Sequence, residues 1–159
     1  MTANPSVYIE TSVVSYLTAR PSRDFLVLAH QRMTSDWWTN RLPQFSPDIS
    51  HLVVDEASAG DPSAAELRLQ ALVAILRLRF TEEAKHLAAL ILEMKLVPRK
   101  APADDLHIAI ATSHGLDYLL TWNCKHIANA EKRTALVELI EPNQVACPVI
   151  CTPEELMGA

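Results

Sequence analysis

The stretch Tyr8-Ile9-Glu10-Thr11-Ser12-Val13-Val14-Ser15-Tyr16-Leu17 changes its period in mid-run. Val7, Tyr8 and Ile9 form a short apolar, β-prone run that stops at three polar residues. Beyond them Val13, Val14, Tyr16 and Leu17 recur at helical spacing. The segment therefore predicts a strand, a polar turn and a helix capped by Thr11 or Ser12.

The same alternation continues outward. Pro21-Ser22-Arg23-Asp24 restarts the chain, and Phe25, Leu26, Leu28, Ala29, Met33, Trp37 and Trp38 predict a long helix running to Leu42 with Ser22 as its cap. A strand over Gln44 to Ser50 follows, then a helix from His51 ended by Gly60, and a second helix opened by Asp61-Pro62. Leu76 to Phe80 alternates apolar and basic, which predicts a strand with one buried face, and Thr81 opens a helix through Met94. After a basic loop from Pro98 to Pro102, a helix spans Ala103 to His114. Tyr118-Leu119-Leu120-Thr121 reads as a buried strand and Trp122 to His126 as the turn into a short helix. A helical stretch around Leu136 to Ile140, a strand at Pro148 to Cys151 and a capped helical turn at Thr152-Pro153-Glu154-Glu155-Leu156 complete the chain. Strands alternating with helices predict an α/β fold with a central, largely parallel sheet and right-handed crossovers, in one domain over residues 1–159.

Composition narrows the function. The chain has 159 residues, a net charge of −5 and only three glycines. Three glycines cannot build a Walker or dinucleotide-binding loop, and the acidic balance excludes a nucleic-acid binder that works by bulk positive charge. The three cysteines, Cys124, Cys147 and Cys151, have no metal or disulfide spacing and read as small buried apolar residues. No apolar run reaches the ~20 residues needed to span a bilayer, so a cytoplasmic protein with no membrane partner is expected.

In parallel sheets ligands bind past the carboxyl ends of the strands. Glu10 and Thr11 follow the first strand there, and Thr121 and Asn123 the strand beginning at Tyr118. Two helices place acids in apolar surroundings: Asp55 and Glu56, and Asp104 and Asp105. Converging carboxylates cannot all stay ionised without a counter-cation, and Mg2+ or Mn2+, hard and oxygen-seeking, suits that need. The residues alone do not separate Asp104 from Asp105 or Glu56 from Asp55; one of the two aspartates reads as a surface acid favoured by the helix dipole. Glu10 has the same alternative as a helix-terminal acid. His107 reads as a packed or hydrogen-bonded histidine, and Trp37 and Trp38 as core and dimer-face aromatics.

The opening run, with its strand ending in acid-Thr-Ser, resembles that of PIN-domain proteins, particularly VapC-type toxins. Val54-Asp55-Glu56, Ala103-Asp104-Asp105-Leu106-His107-Ile108-Ala109, Leu119-Leu120-Thr121-Trp122-Asn123 and Cys151-Thr152-Pro153-Glu154-Glu155-Leu156 resemble further family motifs in the same order. The resemblance implies a three-layer α/β/α domain and a metal-dependent endoribonuclease. In it Glu10, Glu56 and Asp104 hold Mg2+ or Mn2+, which orients a water for attack on an RNA phosphodiester. It selects Asp104 over Asp105 and Glu56 over Asp55. Asn123 joins the site by orienting a metal-bound water through its amide oxygen, and Thr11 and Thr121 hydrogen-bond the acids or such a water. Arg20, Arg99, Lys100 and Lys125 are the candidate phosphate contacts. The resemblance also implies an antitoxin partner and a homodimer. Two positions depart from the family: its first and last acids are usually aspartates, where this chain has Glu10 and Asn123. The longer Glu10 and the charge lost at Asn123 carry the alternative reading, a weakly active or inactive module that binds RNA or protein. A metal-dependent phosphatase on a related scaffold is the third reading.

Overall fold

The computed structural model describes residues 3–94, 102–143 and 145–158. In chain order the elements are β1 (Ser6–Ile9), α1 (Thr11–Thr18), α2 (Phe25–Asn40), β2 (Ser46–Ser50), α3 (His51–Ala57), α4 (Pro62–Leu72), β3 (Leu76–Leu78), α5 (Glu82–Glu93), α6 (Pro102–Ser113), β4 (Tyr118–Leu120), α7 (Ala130–Ile140) and β5 (Val149–Cys151). The five strands form one sheet in the order β3-β2-β1-β4-β5, and every neighbouring pair is parallel.

This order sets the layers. The first two crossovers step from β1 to β2 to β3 in one direction, and the later ones return past β1 to β4 and β5 in the other. Right-handed crossovers that reverse direction put their helices on opposite faces. Accordingly α1 packs against α2, α3 and α4, while α5 packs against α6 and α7. The reversal falls between β1 and β4, whose registers pair Tyr8 with Leu119 and Ile9 with Leu120.

The core follows from the strand composition. Val7, Tyr8, Ile9, Leu119 and Leu120 are fully buried, as continuous apolar runs sandwiched between helix layers must be. Pro47 is tolerated inside β2 because of its position. Ser46 donates its N–H to Pro5 on the β1 side, so alternation turns the missing N–H of Pro47 to the far side, where pairing with β3 begins only at Asp48.

Several expectations are corrected. Glu10 caps α1 in place of Thr11 or Ser12, and Asp24 caps α2 in place of Ser22, with α2 ending at Asn40. Residues 42–44 form a single 3-10 turn, so β2 starts at Ser46. β3 is three residues long and Leu76 is exposed, because an edge strand lacks the cover its alternating pattern implies. Residues 124–127 are a turn and not a helix, α7 starts at Ala130, and the segment after Thr152 is likewise a turn. Cys124 is exposed and Trp38 half-buried, whereas Trp37 is fully buried. Most of the loop from Pro98 to Pro102, with Arg99 and Lys100, lies outside the described residues.

Candidate active site

At the reversal point the carboxyl ends of β1 and β4 are tied together. Glu10 N–H donates to the Leu120 carbonyl at 3.0 Å, and Trp122 N–H to Ser12 Oγ at 2.8 Å. Glu10, only 4% exposed, turns its carboxylate back over the start of α1. Oε2 accepts Ser12 N–H at 2.7 Å, and Oε1 accepts the same N–H at 3.2 Å and the Thr121 hydroxyl at 3.0 Å. Burial pushes the Glu10 carboxyl up from its ordinary range; the charge of His107 and these hydrogen bonds oppose the rise. Thr121 Oγ1 also accepts Asn123 N–H at 2.9 Å, so one hydroxyl fixes both an acid and the turn after β4.

Glu56 reaches the same region from α3. Its Oε1 accepts the Thr11 hydroxyl at 2.7 Å and His107 Nε2–H at 2.6 Å. Burial alone would raise its pKa, but the hydrogen bond and charge of His107, together with Thr11, outweigh burial and lower it. His107, on α6, is 1% exposed and was read from sequence only as a packed or hydrogen-bonded histidine. It is the hub: its Nδ1 lies 2.7 Å from Tyr8 Oη, which lies 2.7 Å from Ser50 Oγ. A lone titratable residue inside the apolar run Leu106-His107-Ile108-Ala109-Ile110-Ala111 was the signal for such a role.

Asp104 stands one turn before His107 on α6 and is half-buried. Burial raises its pKa and the charge of Glu56 adds to the rise, against His107, Asn123 and His126. Asn123 accepts His126 N–H at 3.1 Å through its side-chain oxygen, and its amide, a donor that aspartate lacks, acts to lower the pKa of Asp104. Asp105 is buried away from solvent and is no surface acid. Arg20 is exposed beyond the far end of α1, roughly 12 Å along the helix from Glu10 at 1.5 Å per residue. Lys125 is exposed in the turn after Asn123.

Among the described residues no group of three or more His, Cys, Asp or Glu side chains is placed to hold a metal ion. The donor chemistry nevertheless fits a hard divalent cation on fewer protein ligands. Among the described residues Glu56 keeps Oε2 free of partners, on a side chain 35% exposed, and its charge is felt by Asp104. Mg2+ typically sits on one or two carboxylates and fills its remaining positions with water and phosphate oxygens. Glu56 and Asp104 are the pair that would hold it.

No family model matches the chain, and no curated protein matches it. A solved structure does. The chain resembles one in the crystal structure of VapBC2 from Rickettsia felis bound to a DNA fragment from their promoter. The TM-score is 0.58 at 14% identity, over 92% of this chain and 98% of that one. At that identity the likeness establishes a shared parallel-sheet α/β fold. No helix among the described residues is long and apolar enough to cross a membrane.

Proposed function

We propose that the chain is a metal-dependent endoribonuclease of the PIN type and the toxin of a toxin–antitoxin pair. The observation that carries this reading is the hydrogen bond that sets Glu56 against the buried His107, with Glu10 and Asp104 within electrostatic reach of the same imidazole, near the carboxyl ends of β1 and β4 where ligands bind in parallel sheets. Bound Mg2+ or Mn2+ supplies a water of lowered pKa and neutralises charge on the scissile phosphate. The chain's own residues prepare the place. Glu56 and Asp104 offer carboxylate oxygens, Asn123 orients Asp104, and Thr11 and His107 hold Glu56. Glu10, satisfied as the cap of α1, braces Thr121 and through it the turn carrying Asn123. Lys125 at that turn, with Arg20, Arg99 and Lys100, supplies the phosphate contacts.

Asp104→Asn tests the assignment. Cleavage of an RNA substrate with Mn2+ falls at least about 100-fold while the melting temperature is kept, and cleavage at the wild-type rate would sink the proposal. The commitment of Glu10 to a helix cap and the uncharged Asn123 favour the second reading, an RNA- or protein-binding module without turnover. RNA binding with no detectable Mn2+ uptake in calorimetry decides for it. The fold relative is a VapBC2 assembly on DNA, which supports an antitoxin partner for this chain as well. Co-purification with the product of the adjacent gene tests that partner, and gel filtration tests the homodimer. A cytoplasmic location belongs to the same reading.

A further inference from the structure

We propose that His107 is a positioning residue for Glu56: it locks one carboxylate oxygen so that the other is presented to a divalent cation. The inference rests on the nuclease reading above and names a device inside that site which the sequence motifs do not disclose.

The geometry is a hydrogen-bond chain through five elements. Ser50 at the end of β2 meets Tyr8 of β1, Tyr8 meets His107 Nδ1 on α6, His107 Nε2 meets Glu56 of α3, and Glu56 meets Thr11 of α1, with every step between 2.6 and 2.7 Å. Its chemistry is directional at the important end. A carboxylate only accepts, so Nε2 must carry the hydrogen given to Glu56 whichever way the Tyr8–His107 bond runs. Both donors to Glu56 converge on Oε1. Oε2 therefore has no protein partner among the described residues, and it belongs to a partly exposed side chain whose charge acts on Asp104. His107 cannot swing away, since it is 1% exposed, with its other nitrogen bound and its ring edge-on to Tyr8 at 5.6 Å. The long Glu56 side chain is thus ordered during folding, and a cation does not have to order it on binding. Groups that hydrogen-bond a metal-ligating side chain typically control 10- to 100-fold in metal affinity.

Two replacements separate positioning from packing. His107→Gln keeps a side-chain amide N–H near the place of Nε2, whereas His107→Asn keeps a polar atom toward Tyr8 but is too short to reach Glu56. Calorimetry with MnCl2 on the purified chain should show His107→Asn weakened about 10- to 100-fold and His107→Gln within a few-fold of wild type. Wild-type affinity in His107→Asn, or equal losses in both variants, would overturn the inference. A second measurement needs neither metal nor a folded His107 variant. The imidazole Nε2–H of His107 should give a far-downfield proton resonance in the wild-type chain that moves upfield in Glu56→Gln. Its absence from the wild type overturns the inference. If the wild type takes up no Mn2+, the nuclease reading fails, and this resonance alone decides whether His107 holds Glu56.

Discussion

Asp104 and Asp105 are adjacent and chemically identical, yet α6 gives them opposite environments. Asp104 is half-buried beside Asn123, while Asp105 is 2% exposed, with neither oxygen hydrogen-bonded among the described residues. Burial first, and then the charge of Asp104, push the Asp105 carboxyl from 3.8 up to about 6, with Lys132 opposing. A carboxyl whose pKa is raised by folding stabilises the fold most below its unfolded value and loses that contribution as pH rises through the folded one. Asp105→Asn should therefore leave the melting temperature near pH 4 almost unchanged and raise it at pH 8. The gain approaches roughly 3 kcal/mol, the worth of the shift from 3.8 to about 6. Thermal melts of both proteins at the two pH values check the sign; an equal effect at both would refute the account. Sequence placed acids at this position but could not separate a ligand from a buried neighbour, because one step along a helix rotates a side chain by ~100° and only the packed surroundings assign its fate.

At the scale of elements, legibility tracked how local the determining interactions are. The caps of α4 and α5 were readable because Asp61 and Thr81 bond N–H groups three residues ahead. The start of α2 was misplaced by two residues because two capping types stand in Pro21-Ser22-Arg23-Asp24. Asp24 Oδ1 takes the Val27 N–H at 3.0 Å, and Ser22 Oγ takes only the N–H of Asp24. Asp24→Ala should cost about 1 kcal/mol in chemical denaturation and Ser22→Ala clearly less. The reverse order would return the cap to Ser22. The segment after β4 misled for a related reason. Asn123 accepts His126 N–H with its side chain and the N–H groups of Ile127 and Ala128 with its carbonyl. Such an Asn-initiated turn has the composition of a helix start without its continuation.

For the molecule as a whole, a cation held by Glu56 and Asp104 as proposed would stabilise the folded chain and not the unfolded one. Mn2+ at 100 times its dissociation constant should add about 2.7 kcal/mol of stability. The corresponding rise in melting temperature should vanish in Glu56→Ala, while retention of the rise would place the cation elsewhere. Sequence by itself determined the α/β class, the parallel sheet and the helices carrying the acids. Those follow from apolar periodicity, strand length and capping chemistry, which act over a few residues. Tertiary structure alone decided that Thr121 bonds Glu10, that Thr11 bonds Glu56, and that His107 joins Tyr8 to Glu56. Each of those bonds links residues that sequence keeps far apart or leaves with several possible partners, and a hydrogen bond only a few ångströms long forms where the packed sheet and helices bring one partner within reach.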